Sequence, residues 1–174
     1  MDINQISALI RDVLVEASLY SDPAHALLLG TGAQESRYEY IKQLGDGPAK
    51  SFWQIEPATA YDNFVNYLQY RSRLRVRVLN TCYLHGDTIE AIIQDDDEAS
   101  EETLSELLER NMAFAILMAR IRYYRSPGAI PDDLSGIANY WKVHYNTQSG
   151  AGSVDEFVDN YNKLKIHQYC SVQN

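Results

Sequence analysis

At 174 residues, with 45% hydrophobic and 22% charged side chains, the chain has an ordinary globular composition and is long enough for one domain around a buried core. A net charge of −9 argues against a general nucleic-acid binder, which needs a basic surface to neutralise phosphates. No apolar run approaches the roughly 18 residues of a membrane span, so no membrane span is expected. The opening stretch MDINQISALIRDVLVEASLY starts on an acid and alternates polar with apolar residues. It does not read as a signal peptide, so work outside the cytoplasm would need another route of delivery.

In chain order, Ile3, Ile6, Leu9, Ile10, Val13, Leu14 and Ala17 recur at helical spacing and predict a first helix. Ser21-Asp22-Pro23 reads as a stop and restart, with Asp22 as cap and Pro23 in the first turn. A second helix is expected from Pro23 to Gln34. Gly30 and Gly32 lower its helix propensity. They point to tight backbone packing, to close approach by a ligand, or to an early helix end. From Arg37 to Gln54 the helical pattern breaks. Gly45-Asp46-Gly47-Pro48 is turn chemistry, and a short hairpin or irregular loop is expected, with Tyr38, Tyr40 and Phe52 as its aromatic contacts.

Pro57 is expected to open a short helix, followed by a long helical stretch from Asp62 to Leu79. Within it Arg71, Arg73, Arg75 and Arg77 point around the cylinder and make no single stripe. They read as a solvated surface over core residues Leu74, Val76 and Val78. Asp87-Thr88-Ile89-Glu90 resembles a capping box. The acidic run from Asp95 to Glu102 reads as a solvated loop and the acid-rich first turn of the next helix. Leu104 to Tyr124 is the strongest helical stretch, apolar over so broad a surface that it should be central. Ser126-Pro127-Gly128 ends it. A further helix is expected from Leu134 to Tyr145. Ser153-Val154-Asp155-Glu156 is a capping box for a last helix carrying Phe157, Tyr161 and Leu164. There is no internal repeat and no dividing linker, so residues 1–174 read as one mainly α domain.

Cofactor signals are lacking. Cys82 and Cys170 make no disulfide framework, and His25, His85, His144 and His167 have no short metal-ligand spacing. No Gly-x-Ser-x-Gly, phosphate loop or dinucleotide fingerprint occurs. Neither a metal nor a cofactor is expected.

The chemistry centres on Glu35, which follows the apolar run LLLGTGAQ. A carboxyl held against apolar neighbours has its charged form disfavoured, so its pKa rises and it is able to donate a proton near neutrality. Protonating a glycosidic oxygen requires such a group. Phe52 and Trp53 offer stacking faces for sugar rings or core packing alike. Gln54 offers an amide for a sugar hydroxyl or an N-acetyl group.

Glu35-Ser36, followed by Gly47-Pro48-Ala49-Lys50-Ser51-Phe52-Trp53-Gln54-Ile55-Glu56-Pro57-Ala58-Thr59, resembles the lysozyme-like lytic transglycosylases of the soluble-lytic and goose-type lysozyme group. The tail segment Ala138-Asn139-Tyr140-Trp141-Lys142-Val143-His144-Tyr145-Asn146-Thr147, with Gly150, Gly152 and Glu156-Phe157-Val158 after it, looks like phage-encoded members. The resemblance spans residues 24–162 and implies a lysozyme-like fold that cleaves the bond between N-acetylmuramic acid and N-acetylglucosamine in peptidoglycan. It implies Glu35 as the single general acid and base, Ser36 as support for the site backbone, and Gln54 as a lining amide. It puts Tyr140 at the tyrosine that meets the acid, with Tyr145-Asn146 as a competing alignment. Substrate contacts are therefore expected from Ser36, Phe52, Trp53, Gln54, Tyr140 and Tyr145. Ser51 stands where the family has its second glycine, Phe52-Trp53 replaces a Leu-Met pair, and Trp141 interrupts the Tyr-Asn pair.

The implied reaction closes a 1,6-anhydro ring without water or cofactor. A hydrolytic variant would need a second carboxylate, for which Glu39, Asp46 and above all Glu56 are candidates; Glu56 also reads as a helix N-terminal acid. The implied partners are peptidoglycan strands and other virion or tail proteins. The implied setting is a phage protein made in the host cytoplasm and acting on the cell wall, as a virion component or as an endolysin released through a lysis pore. A goose-type muramidase and an inactive glycan-binding virion protein remain as alternatives.

Overall fold

A computed structural model describes residues 2–87, 89, 98–146 and 150–171. It is mainly α-helical, and among the described residues only isolated β-bridges accompany the helices. The helices are α1 (Ile3–Glu16), α2 (Asp22–Ser36), α3 (Pro57–Val65), α4 (Ser72–Thr81), α5 (Glu98–Arg110), α6 (Met112–Tyr124), α7 (Leu134–Trp141) and α8 (Val154–Lys163). Short 3-10 turns at Leu68–Tyr70 and Ile166–Gln168 and a π-turn at Lys142–Asn146 join them. The buried apolar side chains form one cluster from Ile6 to Ile166.

Two helices occupy the middle. In α2 every residue from Ala24 to Ala33 is buried, and the helix packs against α1, α6, α7 and α8. In α6 the run Phe114 to Ile121 is buried. Ser21, one residue before the expected cap, closes the start of α2 by accepting the Ala24 N–H at 3.2 Å. Asp22 instead accepts the Tyr20 hydroxyl at 2.6 Å.

Gly30 and Gly32 do not end α2 early. They let aromatic rings sit against its backbone: a Cβ on Gly30 would collide with the Phe157 ring of α8, and one on Gly32 would lie 2.5 Å from Tyr38 Cζ. Gly30→Ala is therefore expected to destabilise the fold by about 1–3 kcal/mol through overpacking, despite its better helix propensity. Thermal unfolding of the two proteins checks this.

Two expected long helices are each broken. The stretch from Asp62 to Leu79 divides into α3, a 3-10 turn and α4. Leu104 to Tyr124 divides at Asn111, whose side chain caps α6 by accepting the Phe114 N–H at 3.0 Å and donates to the Cys82 carbonyl at 2.9 Å. The tie to the end of α4 favours a break where apolar periodicity continues. Val76, expected in the core, is 52% exposed, whereas Leu74 and Val78 are buried. The capping box at Ser153 forms in both directions, Ser153 N–H to Glu156 at 2.8 Å and Glu156 N–H to Ser153 Oγ at 3.1 Å. The proposed box at Asp87-Thr88-Ile89-Glu90 and the acidic run's Asp95, Asp96 and Asp97 fall in whole or part outside the described residues.

The segment after α2 is an irregular loop pinned by paired backbone bonds. Gln43 N–H reaches the Ala49 carbonyl at 3.0 Å and Ser51 N–H the Ile41 carbonyl at 2.8 Å. Lys50 and Ile55 exchange N–H to carbonyl bonds of 2.9 and 2.8 Å. This tight closure holds Ser51 at φ 65° and Gln54 at φ 46°. Left-handed backbone at Ser51 is where a glycine fits without steric cost.

Candidate functional site

Glu35 occupies the last turn of α2, and the chain leaves that helix through left-handed Arg37 and Tyr38. Ser36 sits wholly inside this exit. It donates to the Gly32 carbonyl at 3.2 Å and accepts the Tyr38 N–H at 3.1 Å. Its hydroxyl braces the helix end, and its side chain is not available to a ligand. Tyr40 adds a second brace, donating to the Glu35 carbonyl at 2.9 Å.

The Glu35 carboxyl faces a cleft of about 530 Å³ whose lining includes Gln54, Glu56, Thr59, Arg122, Tyr145 and Asn146. A shallower extension of about 380 Å³ shares Thr59 and Arg122 and reaches Asp62, Asn63 and Arg125. Arg125 is held there by Asp62 and by Asn63, the latter at 2.9 Å.

Three forces set the proton affinity of Glu35. Burial, the largest, raises it; a hydrogen bond from Trp141 Nε1 at 3.0 Å and the charge of Arg122 lower it. Burial prevails, and the pKa lies above the ordinary glutamate value. The result is a half-buried carboxyl, oriented by one indole N–H and open to the cleft, suited to hold and release a proton. Trp141→Phe removes the donor that favours the carboxylate, so Glu35 should lose its proton at higher pH still. Carboxyl-carbon NMR titration of both proteins reads that displacement. The lost packing should also cost about 1–3 kcal/mol.

Trp141 and Tyr145 reach this site because they lie four residues apart, on one helical face. The π-turn at Lys142–Asn146 carries Tyr145 into the cleft, a use of π-turns common where a side chain must be aimed. Tyr145 donates to the Trp53 carbonyl at 2.7 Å and stacks on Tyr123 with centroids 5.1 Å apart. Lys142 Nζ closes the turn, donating to Asn146 Oδ1 at 2.7 Å and to the Gly150 carbonyl at 2.8 Å.

Of the residues expected at the substrate, Glu35, Gln54, Glu56 and Tyr145 line one cleft. Gln54 turns its amide N–H toward the Ser51 carbonyl at 2.7 Å, leaving its carbonyl oxygen as the spare acceptor. Tyr140 does not meet the acid. It faces α6, with its hydroxyl 3.5 Å from the Tyr123 carbonyl, and lines a different recess. Tyr145, the competing candidate, lines the cleft with its hydroxyl committed to the Trp53 carbonyl, while Tyr140 stands about a quarter turn from Trp141 on α7.

Phe52 and Trp53 are also corrected. They are 3% and 0% exposed. Trp53 Nε1 donates to the Leu28 carbonyl at 2.9 Å, and both rings pack edge-on against Tyr38. They anchor the loop to α2 and offer no face to a sugar. Glu39 and Asp46 are exposed and absent from the cleft's described lining.

Arg122 and the orienting role of Trp141 were not anticipated. Arg122 is fixed by bonds to the His144 and Tyr145 carbonyls at 3.3 and 2.5 Å, and its guanidinium lies 4.5 Å from the Tyr145 ring centroid. The available signal was a pair of cations, Arg120 and Arg122, within the most apolar helix. Among the described residues no group of three or more His, Cys, Asp or Glu is arranged to hold a metal, and no helix is long and apolar enough to cross a membrane. Comparisons with family models, curated proteins and solved structures found no match to this chain.

Proposed function

We propose that the protein is a peptidoglycan-cleaving enzyme that uses Glu35 as its single general acid and base, in the manner of the lytic transglycosylases its motifs resemble. The observation that carries this reading is a desolvated carboxyl, oriented by Trp141, opening onto a cleft with Gln54, Arg122 and Tyr145. Glu35 gives its proton to the oxygen between N-acetylmuramic acid and N-acetylglucosamine as the bond to the anomeric carbon breaks. The neighbouring acetamido group supports the developing positive charge. Glu35 then takes the proton of the muramyl 6-hydroxyl as that oxygen bonds to the anomeric carbon, closing the 1,6-anhydro ring. No water is consumed, and the carboxyl returns to its protonated form. The Arg122 charge suits an anionic glycan at the same place. The proposed setting is phage entry or host lysis.

A hydrolytic course is the second reading, favoured by one observation: Glu56, exposed at the start of α3 without a side-chain capping bond, lines the same cleft. In this reading Glu56 activates the attacking water. Digestion of purified peptidoglycan with products weighed by mass spectrometry separates the two. Anhydromuramyl products support the transglycosylase; products one water heavier support hydrolysis through Glu56. Absence of cleavage would overturn both and leave a glycan-binding virion protein.

A further inference from the structure

Tyr123 also borders a second recess, of about 310 Å³, whose described lining shares no residue with the cleft. Arg120, Tyr123, Tyr124 and Tyr140 form much of it, together with the hydroxyl residues Ser21 and Ser126. Arg120 is 7% exposed and projects from the central helix α6. Its Nε donates to the Leu19 carbonyl at 3.1 Å, and its guanidinium carbon lies 5.0 Å from the Tyr124 ring centroid. Among the described residues no carboxylate pairs with it.

A guanidinium taken out of water without a counter-charge is an unbalanced arrangement. Burial correspondingly lowers its proton affinity, and none of the neighbouring groups that oppose the shift is an acid of the Asp or Glu type. Arginine nevertheless stays charged and keeps a planar fork matched to a carboxylate. The aromatic lining excludes a compact, strongly hydrated anion as the better fit, because one cation and a few hydroxyls would not replace its water shell. An apolar group beside a single carboxylate satisfies both parts of the recess.

We propose that this recess binds a carboxylate carried on an apolar body, the carboxylate pairing with Arg120 and the body lying against Tyr124 and Tyr140. Two sources share that chemistry: a free small acid, and the C-terminal residue of a peptide with an apolar side chain. The test is titration of the whole protein with phenylacetate, with its neutral isostere phenylacetamide and with N-acetyl-leucine, followed by amide NMR. Saturable binding of an acid is expected, with shifts at Tyr124, Ser126 and Gly128. The amide should bind about tenfold more weakly or worse, and Arg120→Gln should weaken the acid by a similar factor. Because Arg120→Gln risks the fold, Ala129→Trp, at an exposed lining position, should block binding without touching the core. Tighter binding of N-acetyl-leucine assigns the peptide source, and tighter binding of phenylacetate the free acid. The proposal is overturned if neither acid saturates, if the amide binds as well as the acid, or if either variant binds the acid as the parent does.

Discussion

Glu35→Gln is expected to lower glycan cleavage by about 10²–10⁴-fold, the range that a positioned general acid or base supplies, while leaving the fold intact. The amide still accepts the Trp141 N–H and fills the same space. Its effect on stability should depend on pH with a definite sign. Burial raises the Glu35 pKa in the folded protein above its ordinary value, so the folded chain holds this proton more tightly than the unfolded chain does. That contribution is fully present below the ordinary glutamate value and is lost as pH rises through the folded pKa. Glutamine has no such dependence. The variant should therefore gain stability relative to the parent as pH rises through that window, then hold a constant advantage above it. Denaturant unfolding at a series of pH values, beside the cleavage assay, checks both halves. Equal pH profiles would mean that burial at the helix end does not govern this carboxyl.

The second large effect is expected at Trp53. Truncation to alanine removes a wholly buried indole, leaves the Leu28 carbonyl without its donor, and withdraws the ring that Tyr38 and Phe52 pack against. A loss of about 3–5 kcal/mol follows from the cavity, with the unpaired carbonyl adding to it. In a chain of this length that corresponds to a fall in Tm of roughly 6–20 °C. The loop carrying Gln54 and the Trp53 carbonyl to which Tyr145 bonds depends on the same anchor, so ligand binding should fail together with stability. Thermal unfolding distinguishes this from a sugar platform, whose truncation would weaken binding and leave Tm nearly unchanged.

Much of the helical framework was legible because apolar periodicity marks α1, a stop and restart precedes α2, and a capping box opens α8. The capping box at Ser153 and the helix opened by Pro57 are local signals, and they form as such. Glu35 was legible because a single acid follows the apolar run that ends α2, and Gln54 because it stands in the stretch that resembles the lytic transglycosylases. The breaks at Asn111 and after Val65 were not legible. The apolar spacing runs through both, and the Asn111 break is supported by a bond to the distant Cys82 carbonyl.

Tyr140 and Tyr145 illustrate a second limit. Their order relative to the acid depends on how the chain turns after Trp141, and a π-turn has no simple signature in residue spacing. Phe52 and Trp53 illustrate a third. An aromatic pair in an irregular loop reads the same whether it faces a ligand or the core. Only the position of the Leu28 carbonyl beneath Trp53 decides between them. Arg122 joins the site through tertiary packing of α6 against the π-turn.

The most direct test of the account is the proton equilibrium of Glu35 itself, since the reading depends on one desolvated acid at the end of α2. A carboxyl-carbon NMR titration of the whole protein, with the Glu35 signal assigned by its loss in Glu35→Gln, measures it. The account predicts a midpoint above the ordinary glutamate value, displaced upward again in Trp141→Phe. A midpoint at or below that value would contradict it, because Glu35 would then be an ordinary carboxylate with no special capacity to protonate a glycosidic oxygen.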